Sequence, residues 1–272
     1  MVRELLVSNS LLRGHTLQAA LDVIASFGPA SLDFYATSPH LSIPLQDKPN
    51  TDRLAEALKH HGLTLRCFTP ATYRYDLCYS PESPAGRASL IHFSRAIDAA
   101  DALNAEYVVL IAGHGEADID MHQRQQHVVE NLQRLTKQQH HAKLAVEIPF
   151  CEPSENAMWQ PGFLSQMANA LPSIHFAFNT RMLLLSLHGW QQWLQAAAGR
   201  IVLIRLADGH WHGEKTWGEG IVHIASLKDI LQATSPTCWV STRLHADLDA
   251  QMAEKWYMKH LHAAQVAMEA NR

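Results

Sequence analysis

Short apolar runs alternate with longer amphipathic runs eight times along this chain, and that rhythm limits the possible folds more than any motif does. RELLVSN (3–9), SLDFYA (31–36), LTLRCFTP (63–70), EYVVLIAG (106–113), KLAVEIP (143–149), SIHFAFN (173–179), RIVLIRLAD (200–208) and TCWVSTRL (237–244) read as strands. Between them, 15–28, 51–62, 86–105, 120–141, 161–170, 188–199 and 225–234 read as helices, and 248–270 closes the chain with a long one. Spacing marks the buried helix faces: Val128, Val129, Leu132 and Leu135 fall on one side of a Gln-rich segment. Gly62 ends the helix KHHG with a residue free to turn left-handed. Strand–helix alternation implies parallel strands with helical crossovers. Eight such units in 272 residues fit a (β/α)8 TIM barrel, an α/β fold of about 250 residues, better than an open sheet. No linker or shift of composition divides the chain, so residues 1–272 are expected to form a single domain.

Charge and composition remove several function classes. The formal charge is −4 and no dense basic run occurs. Nucleic-acid partners are therefore not expected, because they call for a positive footprint on the phosphate backbone. The apolar part of MVRELLVSNS is too short for a leader, and no stretch of about 18 apolar residues offers a membrane span. The expectation is a soluble cytoplasmic protein. Cys67, Cys78, Cys151 and Cys238 form no CxxC pair, so they read as buried thiols rather than a zinc ribbon. Many of the 18 histidines sit on helix surfaces, as in LKHHG and KQQHH.

In a (β/α)8 barrel, chemistry gathers at the C-terminal ends of the strands. The polar residues that end the apolar runs are Asn9, the segment from Thr37 to His40, Thr69, His114, Glu147, Asn179, Arg205 with Asp208, and Thr242 with Arg243. Glu147 closes an apolar run, where a lone carboxylate is costly without a partner. It reads either as a catalytic base or as half of an ion pair with Arg205 or Arg243. Arg205 interrupts IVLIRLAD on the side of Leu203 and Ala207, and its planar fork suits an anionic ligand group.

Four stretches, CFTPATYRY (67–75), DALNAEYVVLIAGHG (101–115), KLAVEIP (143–149) and ADGHWHGEKTWGEG (207–220), resemble in order and spacing the sugar isomerase/epimerase family with the xylose isomerase-like barrel. The resemblance spans nearly the whole chain and is nearest to the branch of fructoselysine 3-epimerase and the ketose 3-epimerases. Most specific are an Asp after strand seven, here Asp208, and a Gly-Glu-Gly before the next helix, here Gly218-Glu219-Gly220. The resemblance implies one divalent metal held by a Glu ending strand five, an Asp ending strand six, a His in strand seven and a Glu ending strand eight. Such a metal polarises the sugar carbonyl and stabilises an enediolate, while the two Glu residues exchange protons with opposite faces.

Carried onto this chain, Glu147 matches the first Glu, Asn179 stands for the Asp and Arg205 for the His. Arg243 stands for the last Glu, or Ser241 or Thr242 if the register shifts. Met182 replaces a His seen in the ketose epimerases. One negative, one neutral and two positive side chains give the set a net charge of +1. Arginine does not deprotonate in proteins, so this set repels a divalent cation, and an Arg paired with Glu147 could take the metal's place. No cofactor is expected; a misplaced alignment would restore Mn, Mg, Co or Zn.

Other candidates surround this set. His210, His212 and Glu214 in GHWHGE, near Asp208, form an alternative zinc constellation or part of a loop over the site. Asp208, His210, Trp211, His212 and Glu219 are candidate substrate contacts, as are His114 and Asn179. Trp211 and Trp217 either stack on a sugar or pack. Tyr73 and Tyr75 read as packing residues, and Asn156 matches a family Asn only at a shifted spacing. The leading expectation is a metal-free sugar isomerase or epimerase using Glu147. The alternative is a non-catalytic barrel that binds an anionic sugar or partners an active paralogue, and relatives suggest a homodimer. A nuclease of the endonuclease IV type would need a multi-zinc site and a basic face, which this sequence lacks.

Overall fold

The computed structural model describes residues 3–28, 31–72, 74–115, 118–150, 158–211, 213–215, 217–242 and 250–269. Eight parallel strands close on themselves: Leu5–Ser8, Ser31–Ala36, Thr64–Pro70, Tyr107–Ile111, Lys143–Glu147, His175–Asn179, Ile201–Arg205 and Trp239–Ser241. Strands one and eight complete the ring through Leu5 opposite Val240 and Leu6 opposite Ser241. The expected (β/α)8 TIM barrel is the fold.

Strand residues divide between two cores. Val7, Leu32, Phe34, Phe68, Val108, Val146, Phe176 and Ile204 face outward and pack under the helices. Leu6, Cys67, Tyr107, Val109, Ala145, Ala177, Leu203 and Trp239 fill the bore. Two strands contribute only alanine to that layer, which leaves room for Tyr107 and Trp239 to meet edge to face at 5.5 Å. Such mixing of small and large side chains fills a barrel without voids.

Helix limits follow local chemistry. Thr16 and Ser83 cap their helices by accepting from the N–H of Ala19 and Gly86. The helix expected over 120–141 runs only Met121–Thr136. Beyond it, the N–H groups of His141 and Ala142 bond to the Asp101 carboxylate, just before strand five begins at Lys143. Cys67, Cys78 and Cys238 are buried free thiols, as expected; Cys151 lies outside the described residues. Among the described residues no helix is long and apolar enough to cross a membrane.

Besides a 3-10 turn at Ser10–Leu12, two small features were not expected. A short helix, Thr180–Leu185, follows strand six at once. After strand seven, Asp208–His210 pairs with Gly213–Lys215 as an antiparallel hairpin. Both stand at the C-terminal end of the barrel, where they shape its mouth.

Candidate functional site

A buried ionic cluster crosses the bore at the C-terminal ends of the strands. Arg205 is 1% exposed, Asp33 0% and Glu147 5%. Arg205 donates from Nε to Asp33 Oδ2 at 2.8 Å and from Nη2 to Asp33 Oδ1 at 2.7 Å, a two-pronged pair. Nη2 also donates to Thr69 Oγ1 at 2.7 Å, and Nη1 donates to Glu147 Oε2. Ser241 adds a hydroxyl to Asp33 Oδ2 at 2.7 Å. Side chains of five strands thus join in one cluster around the guanidinium: two, three, five and seven directly, and eight through Asp33. Charge-assisted, two-pronged bonds of this kind are strong and fix orientation.

The electrostatics are consistent with that geometry. Burial alone lowers the pKa of Arg205, but the charges of Asp33 and Glu147 outweigh it and hold the guanidinium above its ordinary value. Just below, burial and then the Asp33 charge push the Cys67 thiol well up, so Cys67 stays neutral. Two carboxylates around one guanidinium leave this cluster with one surplus negative charge. The sequence pointed to a surplus positive charge and to an Arg205 fork open to an anion. Asp33 changes the second expectation, because four of the five N–H donors of Arg205 are already committed to protein oxygens; the first also counted Arg243, which lies outside the described residues. The ion pair of Glu147 with Arg205 is present.

The other expected site residues fall in different places. Asn179 caps the helix Thr180–Leu185, its side-chain oxygen accepting from Met182 N at 2.7 Å. Met182 is buried core. Asp208 is fully buried and accepts four backbone N–H bonds, from Gly209, Val222, Gly218 and Gly220, at 2.7–3.1 Å. Its carboxylate builds the loop from within, which leaves it neither a zinc ligand nor a group facing the bore. Gly220 is required there, since a Cβ would lie 2.1 Å from Asp208 Oδ1. Glu219 pairs with Lys259 at 3.5 Å on the surface, away from the bore. Trp217 is partly buried against the core. Tyr75 stacks on His92 with centroids 4.1 Å apart, a packing role as expected. His212, Arg243, Tyr73 and Asn156 lie outside the described residues.

His114 stands at the surface in a turn that its neighbours stitch in place. Trp159 Nε1 donates to Gly113 O at 2.7 Å, Arg124 Nη1 to His114 O at 2.8 Å, and Gly115 N to Asp76 Oδ2 at 2.9 Å. Asn9, at the end of strand one, is structural: it clips both backbone groups of Tyr35 and donates to His40 Nδ1 at 2.8 Å.

The donors present do not suit the divalent metal that the resemblance implies. A guanidinium occupies the ligand position in strand seven, Glu147 is paired with it, and the Asn179 oxygen is engaged in a cap. Among the described residues, no group of three or more His, Cys, Asp or Glu could hold a metal ion.

Sequence reasoning missed Asp33, Thr69's bond to the arginine, Ser241's bond to Asp33, and the pair Phe150 and Arg181 at the mouth. Asp33 had a visible signal: a carboxylate in the middle of SLDFYA, a strand buried at all six positions. Such a group must find a partner charge.

Comparison with known proteins agrees with this architecture. The profile of the family described as a xylose isomerase-like TIM barrel matches residues 21–263. A search of curated protein sequences finds no match. Among solved structures, the zinc-bound IolI protein superposes with a TM-score of 0.78 at 14% identity, covering 99% of each chain. D-allulose 3-epimerase from Methylomonas sp. gives 0.74 at 14% identity, over 98% of this chain and 99% of that one. L-ribulose 3-epimerase gives 0.72 at 16% identity, over 100% of this chain and 96% of the other. The narrower likeness to fructoselysine 3-epimerase rests on the sequence stretches alone. With a closed eight-stranded barrel and a family profile covering most of its length, the chain belongs to the xylose isomerase-like TIM barrel family.

Proposed function

We propose that this protein is a sugar isomerase/epimerase-like enzyme in which Arg205 stands in for the metal and Glu147 moves the proton. The single supporting observation is the pair itself: one carboxylate at the mouth end of strand five with a fixed guanidinium beside it. In this reading Glu147 takes the proton from the carbon next to a sugar carbonyl. The C–H electron pair becomes the enediolate double bond, and the carbonyl oxygen takes the negative charge. The Arg205 charge stabilises that anion while the proton of the adjacent hydroxyl passes to the former carbonyl oxygen; Glu147 then returns its proton to the former carbonyl carbon, and the oxygen that gave up its proton becomes the new carbonyl. One base serves two adjacent carbons in an aldose–ketose interconversion. With four of the five Arg205 N–H donors held by protein oxygens, little of the guanidinium is left to grip a phosphate, which supports a neutral sugar as substrate rather than a phosphorylated one.

The test uses chelator-treated protein in D2O with a panel of neutral ketoses and aldoses. Deuterium should appear on the carbon next to the carbonyl with the wild type and vanish with Glu147→Gln. Exchange that survives in Glu147→Gln removes the base assignment. Exchange that needs added Mn, Mg, Co or Zn removes the metal-free site.

A second reading is a non-catalytic sugar-binding barrel. It is favoured by the number of Arg205 donors already satisfied within the protein. Sugar-induced thermal stabilisation without any deuterium exchange is its expected signature.

A further inference from the structure

Trp211 is 39% exposed, and the chain holds it there from several sides. It lies at the tip of the hairpin after strand seven. Phe150, three residues beyond Glu147, approaches it from the end of strand five with ring centroids 6.0 Å apart and planes tilted by 45°. Behind Phe150 stands Arg181, with its guanidinium carbon 3.9 Å from the ring centroid. That same guanidinium donates from Nε to His210 O and from Nη2 to Trp211 O, each at 2.9 Å. A single buried side chain therefore grips the backbone of the hairpin tip and the face of Phe150 together. Next to it, the Thr180 hydroxyl donates to Ala207 O at 2.6 Å and accepts from Ala207 N at 3.0 Å, which clips the root of the same hairpin. Asp208 fixes the segment between these two grips.

A rigid, partly exposed aromatic pair beside the open end of a barrel has a defined chemistry. The π-face of an aromatic ring is negative, so it attracts the slightly positive C–H groups on the apolar face of a sugar ring. Holding Trp211 in place in advance removes the ordering cost of binding. The arginine behind Phe150 joins a cation–π contact to hydrogen bonds with fixed carbonyls, which a lysine, a point charge on a flexible stem, does not reproduce.

We infer that Phe150 and Trp211 form a binding platform for the apolar face of a neutral sugar ring, and that Arg181 is the positioning residue that builds it. The inference takes its ligand class from the sugar reading above, but it needs no turnover.

The protein is labelled with 5-fluorotryptophan and followed by 19F NMR. Its seven tryptophans give separate probes, and Trp211→Phe assigns the resonance of interest. D-fructose and L-ribulose are the ligands, with D-fructose 6-phosphate for comparison. In the wild type, the neutral sugars should shift the Trp211 signal. Arg181→Met should broaden or move that signal before any sugar is added and weaken binding by about tenfold, the change worth about 1.4 kcal/mol. The remaining tryptophans should hold their positions and so report an intact barrel. Arg181→Lys should restore little of the affinity, and Phe150→Ala should weaken binding as well. Glu147→Gln should keep the sugar-dependent shift while losing deuterium exchange. If Trp211 is silent to every sugar, or if Arg181→Met binds like the wild type, the platform is wrong. A Trp211 response without exchange in the wild type keeps the platform and removes the isomerase; exchange without a Trp211 response does the reverse.

Discussion

Arg205 cannot be removed cheaply. Its loss strands Asp33 and Glu147 as two facing carboxylates in the bore. Arg205→Met should therefore lower unfolding stability by about 3–5 kcal/mol, the usual cost of breaking a buried pair from one side. Urea denaturation at neutral pH reads this directly, and adding Asp33→Asn to the same chain should recover part of the loss. His92 gives a second expectation at this scale. It is buried, its Nε2 donates to Ala71 O at 2.9 Å, and burial holds its pKa down at about 4. The unfolded chain binds this proton first, near pH 6.5. Stability from His92 is thus complete above pH 6.5 and is lost as pH falls toward 4, by roughly 3 kcal/mol in all. Urea midpoints measured across that window should show a shallower slope for His92→Gln. Single residues were also where the sequence was least complete. Glu147 and Arg205 stood out because they end or interrupt apolar runs. Asp33 did not, because attention to strand ends passes over a charge in mid-strand, and the arginine that neutralises it lies 172 positions away.

The loop after strand seven is an element built around one carboxylate. Asp208→Ala removes the two oxygens that accept four backbone N–H bonds. Amide exchange should rise by about tenfold or more across 209–222 while the barrel strands stay protected, since loops open locally at lower free energy than the core. Gly220→Ala should give the same pattern, because its Cβ would meet Asp208 Oδ1 at 2.1 Å and Gly209 N at 2.2 Å. Either variant that leaves exchange unchanged would mean the loop has another scaffold. The sequence marked this stretch as the most family-specific and assigned it to substrate contact. Its hairpin was not legible, because GHWHGEKTWGEG has no alternation and its turns are set by bonds to a side chain rather than by pattern. The helix Thr180–Leu185 was hidden for a similar reason: six residues are too few for a periodic face, and only Asn179 as its cap marks the start. The long elements were legible, and the main error among them was the end of the helix Met121–Thr136, beyond which Asp101 from another element holds the N–H groups of His141 and Ala142.

At the scale of the whole barrel, pattern alone carried the architecture. Eight apolar runs spaced by amphipathic ones in a chain of this length favour closure over an open sheet, and the strands pair in the order the chain supplies them. Pattern does not say what fills the bore, since inward layers are set by pairing across strands distant in sequence. A prediction follows from that filling. A ligand that binds only the folded state raises the melting temperature with its concentration. Added Mn, Co or Zn should leave the melting temperature of this protein unmoved, and a saturable rise for any of them would place a metal site among its residues.

The guanidinium in the bore is joined to the chain by covalent bonds, so it has no dissociation constant. It cannot be stripped by a chelator, outcompeted by a rival ion or starved by a poor medium. A barrel that carries its positive charge in this way leaves the ribosome already loaded, and the fraction of molecules holding it is fixed by translation rather than by supply.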